Sequence, residues 1–231
     1  MYLFKSRNNY EVRILEYKHA TKLFDKIPEE KKNKILESAI AEFAEHGYES
    51  ANINRIAQNA EVSIGSMHKY FTNKEELYLT IIHFCVEKLK TILDVVICSE
   101  GTLLKKIEKI IKAIQVYSRS NFSLNKIYNQ MTTEGHSELV WELVSDMEGV
   151  TAGLYADFIE KAKASGEVRA DVDSKLFAFF LDNLFLQLQF SYSCEYYKER
   201  LKMFIGKDAF DNDALVAEQL LKFIKGALFL K

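Results

Sequence analysis

The stretch "VSIGSMHKYF", residues 62–71, combines side chains that are either very small or able to hydrogen-bond. Gly65 and the serine after it add little bulk to the backbone, whereas His68 and Lys69 carry nitrogen donors. If Met67 points inward on a helix, these donors and Gly65 fall on the opposite side, at about 100° per residue. Such a face suits recognition of a polar target by hydrogen bonds and charge, because the small residues let the helix backbone come close.

Two short helices joined by a tight turn are predicted to carry this stretch. Asn52 is a suitable N-cap for the first helix, and Ser63 is one for the second. The turn between them spans 59–62 and is closed by the apolar Val62. Two short helices separated by about four residues indicate a helix-turn-helix, whose second helix can enter the DNA major groove. The alternative is a helical hairpin that packs against the rest of the protein and binds no partner. This alternative leaves the exposed Gly65 unexplained.

Longer helices are predicted on both sides of this motif. The segment after Pro28 has an apolar stripe at helical spacing, and Gly47 is suited to end it in a left-handed conformation. Asn73 opens the next helix, where it and Glu76 have the spacing of a capping box. Glycines then separate five more predicted helices. These helices span about 102–119, 122–132, 136–164, 173–199 and 211–230, and the glycines are Gly101, Gly135, Gly166 and Gly206.

The composition predicts an all-α protein. Of the 231 residues, 48% are hydrophobic, and one proline and nine glycines leave few helix breakers. This length is enough for one large domain or two modest ones. We predict an N-terminal arm at 1–27 and a small three-helix, helix-turn-helix domain at 28–75. A linking helix at about 73–97 would lead into a larger C-terminal helical domain at 76–231.

Charge and cysteine content exclude some classes of protein. A formal charge of -2 argues against coating of nucleic acid by bulk positive charge, but not against a local basic patch. The three cysteines, Cys85, Cys98 and Cys194, are odd in number and far apart, which suits a reducing cytoplasm. The most apolar run, 176–190, is too short and too polar to span a bilayer. With no signal-peptide pattern at the start, we expect a cytoplasmic protein without a membrane partner.

The segment from Glu29 to Ile82 resembles the DNA-binding domain of TetR-family transcriptional regulators. The markers lie at the end of the first helix, in the turn of the motif, on the second helix and at the start of the next helix. They are Phe43, Gly47, Tyr48, Ile56, Ala57, Ala60, Val62, Ser63, Gly65, Ser66, Tyr70, Phe71, Lys74, Glu75, Glu76 and Leu77. Farther on, "SGEVRADVDSKLFAFFLDNLF" resembles the lead-in to the penultimate helix of these regulators, which packs against its twin.

The resemblance implies a helical homodimer with two helix-turn-helix heads, each reading one half of a near-palindromic, double-stranded operator. The larger domain would bind a small, partly apolar effector and form the dimer interface, and the effector would release a repressor from DNA. The positions that match DNA contacts of the family are Asn52, Asn54, Arg55, Ser63, Ile64, Gly65, Ser66, His68, Lys69, Tyr70 and Lys74.

Two features depart from the family pattern. His68 replaces the first outward aromatic residue of the recognition helix, so a titratable hydrogen-bonding group stands where a ring would stack. From Glu29 to Ile82, nine acidic residues also outnumber six basic ones. Binding would then depend on a few local bases and helix N-termini. We hypothesise that basic residues of the arm also contact DNA and strengthen binding. These residues are Lys5, Arg7 and Arg13.

Aromatic and methionine side chains of the C-terminal part are candidates for lining the effector pocket, and the alternative is that they only fill the core. They are Tyr117, Phe122, Tyr128, Met131, Trp141, Tyr155, Phe158 and Phe179. Apart from the effector, we expect no cofactor and no metal. His136 lies near Glu134 and Glu138, but the other histidines are far away in sequence.

Two apolar helices are candidates for the dimer interface. The run 176–190 is apolar nearly all round, so it must be covered on two sides. A second apolar helix, 215–230, would complete a four-helix interface. The predicted interface residues are Phe177, Phe180, Leu184, Leu188, Leu220, Leu221, Ile224 and Leu228. Burial within one chain is the alternative.

Three classes of function can be considered for this helical chain: a ligand-responsive regulator, a DNA-binding or interaction protein without an effector, and an enzyme. The hypothesis we favour is a dimeric, ligand-responsive transcriptional regulator that acts as a repressor. The alternative is a helical DNA-binding or interaction protein without an effector. We do not predict an enzyme, because the sequence has no phosphate-binding glycine loop, nucleophile elbow or paired metal motif.

Overall fold

The computed structural model describes residue 17 and residues 19–97, 99–134 and 137–229. Within these ranges the chain is built from α-helices, and the one β-type pairing described is an isolated bridge between Val168 and Phe229. The helices are α1 Lys22–Asp25, α2 Glu29–Ser50, α3 Ile53–Asn59, α4 Ile64–Tyr70, α5 Lys74–Ile97, α6 Leu103–Ser120, α7 Phe122–Glu134, α8 Ser137–Ala164, α9 Ser174–Ser193, α10 Glu195–Ile205, α11 Lys207–Phe210 and α12 Asp213–Leu228. The predicted all-α fold, with a small helix-turn-helix domain before a larger helical domain, is confirmed.

The chain divides into two compact units, one ending at Lys88 and the other beginning at Leu89. This division falls inside α5 and not near residue 75, because the first half of α5 contributes the buried side chains Leu77, Ile81 and Ile82. The described residues before Pro28 also belong to the first unit. The sequence alone predicts a separate arm over 1–27, of which residues 1–16 and 18 lie outside the described part.

The first unit is organised around buried apolar faces of α2, α3 and α4. Helix α2 buries the predicted stripe that includes Ile35, Leu36 and Phe43, whereas Ile40 is only half-buried. Gly47 has φ 71° and ψ 172°, so the helical path bends there and resumes for three residues. The predicted positive φ is present, and the regular helix is interrupted at this glycine as predicted, before the short turn 48–50.

The second unit has α9 at its centre, where it packs against α6, α7, α8 and α10. Its largest buried side chains include Ile107 and Ile111 of α6 and Ile159 of α8. Helix α12 packs on α6 and adds Ile224 and Leu228 to the same core. None of the described helices combines the length and the apolar character needed to cross a bilayer.

The single helix predicted for 173–199 is wrong, because the chain is broken at Cys194. This residue has extended backbone angles (φ -110°, ψ 130°) and separates α9 from α10. Just before the break, the hydroxyls of Ser191 and Ser193 donate to the carbonyls of Gln187 and Gln189, 2.8 and 2.7 Å away. Serines that bond back to the preceding turn weaken a helix, so two of them favour its end here. The short helix α11 was not predicted.

Candidate nucleic-acid interface

The helix-turn-helix consists of α3 and α4, and a side chain caps the start of each helix. Asn52 Oδ1 accepts a hydrogen bond from the Asn54 N–H at 2.8 Å, and Ser63 Oγ accepts one from the Ser66 N–H at 3.1 Å. Both caps were predicted. In the turn, Glu61 takes the left-handed conformation with φ 57°. These local bonds fix where each short helix begins.

Helix α4 has one buried side and one exposed side. Met67 and Phe71 are buried, as predicted, although Phe71 follows the helix as its extended C-cap residue. Gly65, His68 and Lys69 are exposed. Ile64 is 40% exposed, so it adds an apolar group to the outer face. The outer face can therefore offer hydrogen bonds, one positive charge and one aliphatic contact.

Nothing within the first unit requires a glycine at position 65. A Cβ added there would meet only Ser63 Oγ, at 3.9 Å. A glycine inside a helix is about 1 kcal/mol less favourable than alanine. The packing of the chain does not explain Gly65, whereas the close approach of a partner to the outer face of α4 does.

Tyr70 does not lie on the outer face, and its prediction as a DNA contact needs correction. It is only 5% exposed, and its ring lies 5.9 Å from that of Phe24. The position follows from its spacing of three residues from Met67, which puts both side chains on the inner side of α4. The phenol therefore supports the helix.

Arg55 was predicted to contact DNA, but its guanidinium is held by Glu42 of α2. Arg55 Nε and one terminal nitrogen donate to Glu42 Oε1 at 2.9 and 2.6 Å. The same oxygen accepts the backbone N–H of Asn52 at 2.8 Å. Burial alone would raise the pKa of the Glu42 carboxyl, but these hydrogen bonds and the charge of Arg55 outweigh it and lower the pKa. Glu42 therefore joins α2 to the start of α3, a role that no local sequence pattern predicts.

Lys74 is also engaged within the unit. Its Nζ donates to the Glu49 carbonyl at 2.8 Å and lies 4.8 Å from the centre of the Tyr48 ring. Lys69 differs, because its side chain makes no ion pair or hydrogen bond within the described ranges. Of the two predicted lysines, Lys69 is the one whose ammonium group is available to an external partner.

The predicted pocket residues do not form one cluster. Tyr155 is buried in the core, Phe158 packs against that core, and Tyr117 and Met131 are half-buried. Phe122 and Phe179 are exposed, so their assignment to a pocket needs correction. The side chain of Trp141 lies outside the described part. Tyr128 has the most informative surroundings, because its hydroxyl donates to Glu148 Oε1 at 3.0 Å.

The predicted dimer residues fall into three groups. Leu188, Ile224 and Leu228 are buried in the core of their own chain, so their assignment to the interface needs correction. Four more are half-buried against that core: Phe177, Leu184, Leu220 and Leu221. Phe180 is 53% exposed. It lies beside Leu176 and Phe179, also exposed, and we call these three residues the α9 patch.

Among the described residues, no group of three or more histidine, cysteine or acidic side chains is placed to hold a metal ion. His136, which is near Glu134 and Glu138 in the sequence, lies outside the described part. Neither Cys85 nor Cys194 forms a disulfide, and Cys98 lies outside the described part.

Comparisons with known proteins agree with this geometry. Residues 35–81 match the sequence model of the bacterial regulatory proteins of the tetR family. An uncharacterized HTH-type transcriptional regulator of Bacillus subtilis, YhgD, is 25% identical over 163 residues, which cover 71% of this chain and 84% of that relative. These matches define a helix-turn-helix DNA-binding protein. Together with the shared fold, they indicate a TetR-family transcriptional regulator.

Solved structures share the fold. A TetR-family regulator from Chloroflexus aurantiacus aligns with a TM-score of 0.68 at 21% identity, covering 92% of this chain and 99% of that one. FadR of Bacillus subtilis, solved in complex with stearoyl-CoA, aligns with a TM-score of 0.66 at 18% identity, covering 82% and 97%. The similarity therefore includes most of the C-terminal unit.

Replacing Glu42 with glutamine is expected to lower the free energy of unfolding by about 1–2 kcal/mol at neutral pH, since solvent around half-exposed Arg55 screens part of the lost attraction. The pKa of Glu42 is lowered in the fold, so its charge stabilises fully above the ordinary carboxyl pKa of 4.5. This contribution is lost as the pH falls through the lower folded value. Urea unfolding at a series of pH values should show the two proteins converging in acid.

Glu37→Gln is the matched control, because Glu37 is an exposed carboxylate on the same helix. It should stay within about 0.5 kcal/mol of the parent protein at neutral pH. If the Glu42→Gln deficit stayed constant down to strongly acidic pH, the ion pair with Arg55 would not be its source.

Proposed function

We propose that this protein is a homodimeric transcriptional repressor that binds a near-palindromic operator and leaves it when a small molecule binds the C-terminal unit. The observation that carries the proposal is the outer face of α4, where Gly65, His68 and Lys69 are exposed on a helix capped and packed on its other side. The match of residues 35–81 to the tetR family of regulatory proteins supports it. A protein with this function acts where the chromosome is, in the cytoplasm.

Reading of DNA is assigned to three side chains of α4. Lys69 and His68 can donate to acceptors on base edges in the major groove, and Ile64 can contact a thymine methyl. Phosphate contacts are assigned to the capped helix starts. Asn52, Asn54 and Ser63 are exposed there, and the free N–H groups and helix dipoles favour an anion. Phosphate contacts fix the register, whereas base contacts give the specificity.

The α9 patch is proposed as the centre of the dimer interface. Phe179 and Phe180 have ring centroids 6.1 Å apart and both are more than half exposed. Phe223 of α12 is also exposed. Large aromatic side chains contribute most when an interface buries them, and exposed ones in a cluster favour association. Two copies would place two heads on half-sites about 34–36 Å apart.

The effector site is proposed to lie where α7, α8 and α9 meet, around Tyr128, Glu148 and Asp182. Burial and the nearby charge of Glu148 raise the pKa of Asp182 to about 6, while a hydrogen bond with Thr151 acts in the opposite direction. Burial also raises the pKa of Tyr128, as does its bond to Glu148. These groups could orient the polar end of a ligand whose apolar part lies among neighbouring aromatic rings.

Selection of bound DNA from a random pool tests the core of the proposal, and the expected product is a near-palindromic consensus. On that operator, Lys69→Ala should weaken binding by about 1–3 kcal/mol and relax the preference at one base pair in each half-site, because its contact to a base is lost. Lys109→Ala, an exposed lysine of α6, is the matched control and should bind normally. An equal loss of Lys69→Ala on all sequences would place this lysine on a phosphate.

Phe180→Glu should convert the dimer to a monomer, because a charge buried in an apolar interface is left unpaired. Sedimentation analysis should show half the mass, and operator binding should weaken because the two heads are no longer linked. Val116→Glu on α6 is the control, since Val116 is similarly exposed and apolar. A Phe180→Glu protein that remains a dimer would remove the α9 patch from the interface.

Stearoyl-CoA is the first probe for the effector, because a structural neighbour was solved with it. If it binds, the melting temperature should rise with its concentration, by an amount equivalent to about 2.7 kcal/mol at 100 times the dissociation constant. Operator affinity should fall by about 5- to 150-fold for ordinary allosteric coupling. Free CoA and stearate are separate arms that locate the recognised group. A flat response in all three arms would exclude stearoyl-CoA and its two parts as effectors.

A further inference from the structure

A segment that precedes α2 closes the end of the recognition helix. The Thr21 hydroxyl donates to the carbonyl of Lys69 at 2.7 Å, and the Thr21 N–H donates to the carbonyl of Tyr70 at 2.9 Å. The last four carbonyls of a helix have no partner inside it. A single residue, far away in sequence, therefore satisfies two of the four carbonyls at the end of α4.

Thr21 is held in place by an aromatic anchor. Phe24 of α1 is completely buried, and its ring lies 4.8 Å from Phe71 and 5.9 Å from Tyr70. Tyr17 packs edge-on against Phe24 at 5.1 Å. Because these rings belong to the core of the unit, the position of Thr21 relative to α4 is fixed.

The same segment also contacts the start of α5. His19 Nδ1 lies 3.5 Å from Glu76 Oε2. The backbone N–H of Glu76 is itself bonded to Asn73 Oδ1, 2.8 Å away, which caps α5. Residues 19–24, which we call the N-terminal clip, therefore join the end of α4 to the beginning of α5.

We propose that the N-terminal clip holds the recognition helix in the orientation that reads DNA, with Thr21 as the positioning residue. The proposal rests on the DNA-binding function proposed above. Helix α4 has seven residues, too few for a helix to be stable alone in water. Its start is capped by Ser63, whereas its end depends on Thr21. Lys69 belongs to this last turn, so the clip fixes the backbone from which its side chain reaches the DNA.

Thr21→Val tests this assignment, because valine has the same shape but lacks the hydroxyl that donates to Lys69. Operator affinity is expected to fall by about three- to ten-fold, the equivalent of one hydrogen bond, while affinity for random-sequence DNA and the dimer mass stay unchanged. Thr21→Ser keeps the hydroxyl and should bind as the parent protein does. The comparison uses the full-length chain and the operator obtained by selection.

Hydrogen exchange of the free protein gives a second measurement that needs no DNA. In Thr21→Val, the amides at the end of α4, including that of Phe71, should exchange about three- to ten-fold faster. Amides in α9 should be unaffected. This measurement tests the clip even if the protein binds no operator. A failure of the clip proposal can therefore be distinguished from a failure of the proposed DNA-binding function.

Three results would overturn the proposal. Thr21→Val could retain parental operator affinity and exchange rates, in which case the hydroxyl does not hold the helix. It could lose operator and random DNA in parallel together with its melting temperature, which would mean general destabilisation. Finally, Thr21→Ser could be impaired as strongly as Thr21→Val, and the hydroxyl would then not be the group responsible.

Discussion

A seven-residue helix cannot keep its shape in water by its own hydrogen bonds, and the first unit is arranged around that constraint. Forming a helical nucleus costs more free energy than two turns return, so α4 needs support from outside. Ser63 supplies it at the start, Met67 and Phe71 along the buried side, and Thr21 at the end. The residues on the outer face of α4 are then not needed for the stability of the helix, because the capping and buried contacts supply it.

The distribution of charge follows the same division between support and recognition. Arg55 is paired with Glu42 and Lys34 with Glu61, so these cations hold α3 and the turn of the motif to α2. Lys74 donates to a backbone carbonyl near the end of α2 and so joins α5 to that helix. Lys69 lies outside this set. In a head with more acidic than basic residues, little non-specific attraction to phosphates remains. Recognition must then come from how well a few groups are placed.

The sequence predicted those features that depend on local spacing. The N-caps at Asn52 and Ser63, the inward side of Met67 and the exposure of Gly65 all follow from neighbours within about one helical turn, and the structure has each of them. These are properties that a helical period and a capping residue determine. The resemblance to a known family supplied the rest of the predicted site by position.

Predictions failed where residues far apart in sequence decide the outcome. No residue near Arg55 in the sequence indicates that its guanidinium is paired, because its partner Glu42 lies thirteen positions earlier. Thr21 carries no signal of its own, because its partners are 48 and 49 positions away and are backbone carbonyls, which every residue has. In the second unit, an apolar sequence predicts a buried helix but does not indicate which of its residues face the core. Leu188 and Ile224 therefore belong to the core, whereas Phe179 is exposed.

The arrangement makes specificity a matter of geometry more than of charge. A head that relies on many phosphate contacts can tolerate a loose recognition helix, since each contact is weakly directional and salt-screened. Here the outer face of α4 has one lysine and one histidine, and a hydrogen bond to a base edge is lost when its donor is displaced by a fraction of its length. Rigid support is therefore more valuable for this head than additional positive charge. In the proposed arrangement, the clip provides that support from residues outside the outer face of α4, so recognition and support do not compete for the same residues.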